Sequence, residues 1–190
     1  MATTKALPVL PFASVQLLEQ WLSTHYQTDG VWIQIAKKVT GIPSVTYDEA
    51  LDVALCYGWI DGQKNGYDAN YYLQKFTPRR PKSLWSKRNI AKVAKLTAEG
   101  KMLPSGLAEV VAAQQDGRWE AAYASPKNMV FPEDFLKALE TNKKAQTHFD
   151  TLSKSDVYAI AFRLATAQKP ETRQRRFDRI LAMLERGEFR

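Results

Sequence analysis

The chain has 190 residues, 45% of them hydrophobic, and a formal net charge of +7 at pH 7. This length fits one domain or two small ones, and the apolar content excludes a chain that is disordered throughout. No stretch approaches the roughly 18 uninterrupted apolar residues that a transmembrane helix requires. The N-terminal segment, interrupted by Pro8 and Pro11, lacks a secretory hydrophobic region, and the single cysteine permits no internal disulfide. We therefore expect a cytoplasmic location.

The positive charge is concentrated in the middle of the chain. Between Lys64 and Lys101, ten Lys or Arg residues stand against two acidic residues, a local net of +8. The rest of the chain has 17 basic and 18 acidic residues, a net of −1. A clustered positive field attracts anions and raises their rate of encounter. The charge distribution therefore predicts an anion-binding site in this segment.

Helical and extended patterns alternate in the first half of the chain. Ser14 precedes a helix with an apolar face, and residues 31–36 form an apolar run typical of a strand. Thr46 and Glu49 have the spacing of a capping box at the start of a second helix. That helix is expected to end at Gly58, because glycine favours the turn that terminates a helix.

Two further strands are predicted at residues 59–60 and 71–76, joined through the glycine-containing segment 62–66. Side chains alternate between the two faces of a strand. We expect one face of the second strand to be core, and whether the other is exposed stays open. The two faces carry Tyr72, Gln74 and Phe76 on one side and Tyr71, Leu73 and Lys75 on the other.

The second half is predicted to be mostly helical. One helix begins after Ser86 and ends near Glu99, a second covers about residues 105–116, and periodicity is then lost over 119–129, where we place a domain link. The helices expected beyond the link cover residues 132–141, 155–168 and 172–188, with a turn at 145–152 and Thr172 as a cap. The predicted fold class is α+β: a small mixed or antiparallel sheet with flanking helices in residues 1–125, then a helical module in residues 130–190.

Guanidinium groups and a helix start coincide in the basic segment. Arg79 and its basic neighbours precede the helix start at Ser86, and both arginine and helix N-termini bind phosphate or carboxylate. Alternatively, Arg79 pairs internally with Asp61 or Glu49 and the other cations are only solvated. The residues proposed to line this basic and aromatic ligand site are Trp59, Asp61, Lys64, Tyr72, Arg79, Arg80, Lys82, Trp85, Ser86, Arg88 and Asn89.

Aromatic side chains lie among these cations, and exposed rings could stack on nucleic-acid bases. Core packing is the more common role of rings in a mixed sheet, and the sequence contains no established nucleic-acid-binding motif. Nucleic acid is therefore a minor alternative to an anionic small molecule or an acidic protein partner.

Catalysis is disfavoured relative to binding. Asp61 would be a candidate general base if it were buried beside Arg79. An aspartate in a turn more often closes that turn or pairs with an arginine. The sequence has no phosphate-binding glycine loop and no glycine-flanked nucleophilic serine. His25 and His148 lack metal-ligand spacing, so we expect neither a metal site nor a cofactor.

The last helix is basic as well as amphipathic. Arg173 and Arg176 recur near one face, opposite an apolar stripe. Such a helix can contact a membrane surface, an acidic protein or nucleic acid, and Arg173 and Arg176 are therefore candidate partner-binding residues. The alternative is a solvated face whose arginines pair with nearby carboxylates. The sequence does not indicate an oligomeric state.

Five short motifs are distinctive. They are Tyr57-Gly-Trp-Ile-Asp-Gly62, Phe76-Thr-Pro-Arg79, Trp85-Ser86, Phe131-Pro132 and Glu171-Thr-Arg173. Together they resemble the bacterial YdeI/OmpD-associated family over nearly the whole chain. The resemblance implies protection against bacteriocins or antimicrobial peptides, or a stress response, without an agreed biochemical activity. We expect a protein that binds an anionic ligand or partner, with a small enzyme, a protein-interaction module and a nucleic-acid binder as alternatives.

Overall fold

The computed structural model describes residues 6–125, 128–167 and 169–189. Contacts divide the chain into two compact units. The first comprises the chain up to Trp85 together with Asn89–Glu120, and the second comprises Ser86–Arg88 and the chain from Ala121 onward. The fold is α+β, as predicted, with the sheet in the first unit and helices throughout the C-terminal half.

The first unit is built on a four-stranded sheet. Its strands are β1 (Val9–Pro11), β2 (Val31–Ala36), β3 (Trp59–Gly66) and β4 (Tyr71–Pro78), and the helices of this part of the chain are α1 (Val15–His25), α2 (Tyr47–Cys56), α3 (Lys87–Ala98) and α4 (Pro104–Gln115). The strand order is β1-β2-β4-β3. β1 pairs in parallel with β2, and the other neighbours are antiparallel.

Local side chains explain where α1 and α2 begin. The Ser14 hydroxyl accepts a hydrogen bond from the Leu17 N–H at 3.4 Å. Thr46 and Glu49 form a capping box, in which the Thr46 N–H donates to Glu49 Oε2 at 2.8 Å. Both predicted caps are therefore confirmed.

One face of the sheet is part of the core. Val31, Ile33 and Ile35 of β2 are each at most 2% exposed, and Phe76 of β4, opposite Val31, is 1% exposed. α2 packs against both α1 and β3. The period-2 alternation along the strands therefore directs one set of side chains toward the interior of the first unit.

The β3–β4 hairpin differs from the prediction. Segment 62–66, expected to be a turn, belongs to β3, and the register shifts between Asp61 and Lys64. This shift is typical of a β-bulge, which adds residues to one strand and leaves some carbonyls to be satisfied outside the ladder. The buried Gln74 amide serves this purpose by donating to the carbonyls of Gly62 at 2.9 Å and Gln63 at 3.2 Å.

The hairpin turn instead lies at residues 67–70. The Asp68 carboxylate accepts hydrogen bonds from the N–H groups of Asn70 and Tyr71, both at 2.7 Å. Aspartate commonly closes turns in this way, by bonding the backbone two and three residues ahead. Glycine content had therefore indicated the wrong segment as the turn.

The second unit is a helical module. Its helices are α5 (Glu133–Thr141), α6 (Lys143–Phe149), α7 (Lys154–Ala165) and α8 (Pro170–Glu185). They enclose a separate apolar core. The buried members of this core are Phe135, Leu139, Ala145, Ile160, Leu164, Ile180, Leu184 and Phe189.

Three predictions for this module differ in detail from the structure. The turn expected at 145–152 is mostly helix, because Asn142 caps α6 by accepting a hydrogen bond from the Ala145 N–H at 3.1 Å. Thr172 is not a cap, since α8 begins at Pro170, where a missing N–H costs no helical hydrogen bond. α7 ends at Ala165, before the predicted end at Gln168, which lies outside the described residues.

A glycine fixes the close approach of α4 to the end of α2. A Cβ on Gly106 would lie 2.7 Å from the Leu55 carbonyl oxygen and closer still to that of Cys56. We expect Gly106→Ala to lower the free energy of unfolding by about 1–3 kcal/mol, because the two backbones must move apart. Urea denaturation measures this change. The control is Gly66→Ala, where no described atom lies within 4 Å of the added Cβ, and equal losses in both variants would contradict the explanation.

Candidate functional site

The structure brings Arg79 and Trp85 into direct contact. Arg79 is 6% exposed and Trp85 is 2% exposed. The guanidinium carbon lies 3.4 Å from the centre of the Trp85 ring, and Nη1 donates to the Leu84 carbonyl at 3.3 Å. Trp119 also packs against Trp85, with the ring centres 4.9 Å apart. The planar cation is therefore stacked on an indole inside the first unit.

The two carboxylates considered as partners for Arg79 bind other groups. Asp61 Oδ2 accepts a hydrogen bond from the Tyr47 hydroxyl at 2.8 Å. Glu49 accepts from the backbone and the hydroxyl of Thr46, and these bonds hold the pKa of its carboxyl below the ordinary value. Asp61 therefore links the start of α2 to β3, which is a structural role.

A second arginine supports the turn that follows Arg79. Arg118 is 5% exposed, pairs with Asp116 at 2.7 Å and donates from Nη1 to the Ser83 carbonyl at 3.0 Å. The Ser83 hydroxyl accepts from the Arg80 N–H at 3.0 Å. Sequence reasoning missed Arg118, because nothing local distinguishes it from a surface arginine.

Arg80 and Lys82 are displayed by this turn. Both side chains are exposed. Lys82 has a φ of +69°, and no other residue except glycine has a positive φ in the described part of the chain. A non-glycine residue in the left-handed region is held there by its surroundings. The buried Arg79 and Arg118 provide such surroundings, because they bind the Leu84 and Ser83 carbonyls at the turn from which the two exposed cations project.

The remaining predicted ligand residues fall into different environments. Trp59 is 1% exposed, and its indole N–H donates to the Tyr26 carbonyl at 2.7 Å. Asn89 is 6% exposed and also belongs to the first unit. Ser86 and Arg88 belong to the second unit, where Ser86 forms a parallel β-bridge with Tyr123. Trp59 and Asn89 are therefore buried within the first unit, whereas Ser86 and Arg88 are assigned to the second.

Lys64 and Tyr72 do lie together. The Lys64 ammonium is 4.2 Å from the centre of the Tyr72 ring, and its side chain is exposed. Burial, with a contribution from Asp48, raises the pKa of the Tyr72 hydroxyl. The ring therefore remains neutral and supplies a flat surface beside the cation.

Some of the positive charge in segment 64–101 is neutralised. Lys92 lies 3.2 Å from Asp48 and 2.6 Å from Asp52. Lys95 and Lys101 lie 3.7 Å and 2.7 Å from the Glu99 carboxylate. The cations that stay wholly or partly exposed on the β3–β4 hairpin and the turn after it are Lys64, Lys75, Arg80 and Lys82, here called the hairpin cations.

The second face of the sheet is half-exposed and combines rings with a cation. Trp32 of β2 pairs with Lys75 of β4, and the Lys75 ammonium lies 5.8 Å from the centre of the Trp32 ring. Sequence reasoning recognised Tyr71 and Lys75 on this face but missed Trp32, because β2 was treated as one apolar run. We call this surface the open sheet face, whose β2 and β4 residues are Trp32, Gln34, Ala36, Tyr71, Leu73 and Lys75.

The two arginines predicted to bind a partner make contacts within the second unit. Arg173 donates two hydrogen bonds to the Asp134 carboxylate, at 2.7 and 2.8 Å. These bonds lower the pKa of Asp134 and raise that of Arg173. Arg176 Nη1 donates to the Arg163 carbonyl at 2.7 Å. The arginines thus link helices of the module, and partner binding through them stays a prediction.

Residues 6–125, 128–167 and 169–189 contain no group of three His, Cys, Asp or Glu side chains placed to hold a metal ion. A helix with both the length and the apolar surface needed to cross a bilayer is not found in the same ranges.

Comparison with protein families assigns the two parts of the chain differently. Residues 10–109 match a domain of unknown function, DUF8412, and residues 128–187 match the family described as Bacteriocin-protection, YdeI or OmpD-Associated. No curated protein and no solved structure matches the chain. The predicted resemblance is confirmed for the C-terminal part, whereas the motifs of the N-terminal part fall in the other family model. The chain therefore belongs to the DUF8412 family, and its C-terminal part contains a segment that matches the Bacteriocin-protection, YdeI or OmpD-Associated family.

Proposed function

We propose that this chain acts by binding rather than by catalysis, and that an anion carrying a planar ring lies on the open sheet face. The observation that carries the proposal is the Trp32–Lys75 pair, a half-exposed indole with an ammonium group 5.8 Å from its centre. A ring and a cation side by side can bind the two parts of such a ligand at once.

The charges of the hairpin support an anionic ligand. Lys75 stands on a face whose β2 and β4 residues include no carboxylate. Asp61 and Asp68, the acidic residues of the hairpin, are engaged by the Tyr47 hydroxyl and by backbone N–H groups. The two hairpin carboxylates are engaged by other groups. They therefore compensate the positive field of the hairpin cations only in part.

The half-exposed rings of the open sheet face support a planar ligand group. Trp32 and Tyr71 lie on the same face, on neighbouring strands, and neither is fully buried. Stacking of a base on an aromatic side chain contributes about 1–3 kcal/mol in single-strand binders. A nucleotide or a short single strand can use this contact, whereas inorganic phosphate cannot.

The buried Arg79 has an indirect role in this proposal. Its guanidinium is stacked on Trp85 and stabilises the turn that carries Arg80 and Lys82. These two exposed cations extend the positive field beyond the end of β4. Arg79 is therefore a positioning residue, and the ligand contacts are assigned to the open sheet face and the hairpin cations.

We expect Lys75→Ala to weaken binding of a ring-bearing anion by about three- to tenfold, because it removes the ammonium group from the face. Trp32→Ala should weaken it by about 1–3 kcal/mol through the lost stacking contact. The measurement is calorimetric titration with adenosine monophosphate, a single-stranded oligonucleotide, an acidic peptide and inorganic phosphate, at fixed salt.

The matched control is Lys137→Ala, which makes the same change in net charge at an exposed position of the second unit. Parental affinity of Lys75→Ala for every probe would contradict the location. Absence of binding to all four probes would contradict the proposed function itself. Tighter binding of inorganic phosphate than of adenosine monophosphate would contradict the role of the rings.

We further propose that this binding serves protection against bacteriocins, the role that the description of the C-terminal family names. The parent chain and Lys75→Ala, expressed at equal levels in a bacteriocin-sensitive strain, provide the test. Survival should rise with the parent chain and rise less with the variant. Equal survival with and without the parent chain would contradict the cellular role and leave the binding site unaffected.

A further inference from the structure

A recess in the first unit lies among α1, α2, the C-terminal half of α3 and the segment that follows α3. Its volume is about 490 Å³, which is within the range of small-molecule sites. None of its lining residues belongs to the open sheet face. Its apolar wall consists of Val15, Val53, Leu96 and Leu103.

Cys56 lines the same recess and is itself 7% exposed. Burial, assisted by the charges of Asp52 and Glu19, raises the pKa of its thiol to about 11. The thiol is therefore uncharged at neutral pH and behaves as a small apolar group. Cys56 thus adds a neutral sulfur to the aliphatic wall of the recess, which Tyr57, Lys95 and Lys101 also line.

The carboxylates that line the recess differ in whether a hydrogen-bond donor or a lysine binds them. Glu49 is bound by Thr46, Asp52 by Lys92, and Glu99 by two lysines. The Glu19 carboxylate has neither an ion pair nor a hydrogen bond within the described ranges, although it lines the recess. Glu19 is therefore an exposed carboxylate that no described residue holds in an ion pair, beside an aliphatic wall and in the same recess as Lys101.

The charge of Glu19 also acts on neighbouring groups of the recess. Burial is the main cause of the raised pKa of the Cys56 thiol and of the Tyr57 hydroxyl, and the charge of Glu19 raises both pKa values further. Glu99 is the main cause of the raised pKa of the Lys101 ammonium, and Glu19 adds to it. Glu19 is thus close enough to act electrostatically on groups from α2 and from the segment after α3.

We propose that this recess binds a primary ammonium group carried on a short alkyl chain. The ammonium lies at the Glu19 carboxylate, and the methylene groups lie against the aliphatic wall beside Cys56. A charged head in partial contact with water and a buried aliphatic stem is the arrangement that lysine-like groups adopt at protein surfaces. Two kinds of ligand carry such a group: a free alkylamine and a peptide with a lysine side chain.

The test is a titration of the full-length protein with n-pentylamine, followed by the amide shifts of Cys56, Tyr57 and Leu103 in ¹H–¹⁵N spectra. We expect saturable shifts at these amides. n-Pentanol, which has the same stem without the charge, should bind more weakly. Equal binding of pentanol, or no shift of these amides with pentylamine, would overturn the proposal.

Glu19→Gln removes the negative charge of this side chain and keeps the shape of the recess. We expect it to weaken pentylamine binding by about three- to fivefold and to leave pentanol binding unchanged. The matched control is Glu140→Gln, an exposed position on α5, which should bind pentylamine like the parent chain. Unchanged pentylamine affinity in Glu19→Gln would overturn the assignment of the ammonium to Glu19.

A parallel titration with acetyl-Gly-Lys-Gly-amide distinguishes the two kinds of ligand. Shifts of the same amides with both probes mean that the recess admits a lysine side chain from a peptide. Shifts with pentylamine alone restrict the site to free amines. Either result supports an ammonium site, and shifts with neither probe overturn it.

Discussion

Replacement of Trp85 by alanine is expected to lower the free energy of unfolding by about 3–5 kcal/mol, the usual cost of truncating a buried large aromatic residue. Trp85 is 2% exposed and packs against Trp119. The Arg79 guanidinium also lies 3.4 Å from the centre of its ring. The variant therefore leaves both a cavity and a buried cation that has lost its aromatic partner.

Trp85→Phe provides the matched control. Phenylalanine retains a ring for Arg79 and Trp119 to contact. The indole N–H of Trp85 is buried and donates no hydrogen bond to any described residue, so its removal breaks none. We expect a smaller loss of stability than for alanine, measured by urea denaturation with far-ultraviolet circular dichroism. Parental stability of Trp85→Ala, together with weaker ligand binding, would contradict the structural role of the pair.

Phe135→Ala is expected to lower the free energy of unfolding of the second unit by about 3–5 kcal/mol. Phe135 is fully buried, and its ring centre lies 5.7 Å from that of Phe131 and 5.6 Å from that of Phe177. A small helical module has little stability in reserve, so a loss of this size should unfold it. Loss of dispersed amide signals from residues 128–187 measures the effect.

The adjacent Leu136→Ala is the control for this prediction, because Leu136 is 41% exposed. It should change the stability by less than about 1 kcal/mol. We expect the amide signals of the sheet in the first unit to persist in Phe135→Ala, since every described residue of the core around Phe135 belongs to the second unit. A dispersed second-unit spectrum in Phe135→Ala, or equal effects of the two substitutions, would contradict this account.

The helix starts of the first unit could be predicted because their determinants are local. Ser14 caps α1, and the Thr46–Glu49 capping box starts α2 within four residues of sequence. Such motifs act through hydrogen bonds between near neighbours in the chain. The α+β class could be predicted for a similar reason, since periodicity distinguishes helices from strands without knowledge of the tertiary contacts.

The sheet was harder to predict because its pairing is not local. No strand was predicted at β1, which contains Pro11 and follows Pro8, and proline is uncommon inside strands. It forms at the sheet edge by pairing with β2, and the Pro8 carbonyl accepts the Trp32 N–H at 2.9 Å. The extension of β3 through a bulge depends on the buried Gln74, and that contact also lies outside the reach of local patterns.

The sequence indicated which residue types form the candidate site better than it indicated where they lie in the fold. The sequence identified the basic and aromatic segment, but burial decides what each cation can do, and burial depends on packing. Arg79 is inside the first unit, whereas Arg80, its neighbour, is exposed. Trp32 could be recognised as a site residue only from the register that places it beside Lys75.

The most direct test of anion binding on the open sheet face follows the indole N–H signals of the five tryptophans during a titration. The ligand is the tightest-binding member of the four-probe panel. We predict a saturable shift of the Trp32 indole signal, accompanied by the Lys75 amide, with the buried Trp85 signal nearly unchanged. An unchanged Trp32 signal at saturation, with shifts confined to Trp85 or to the second unit, would contradict the account.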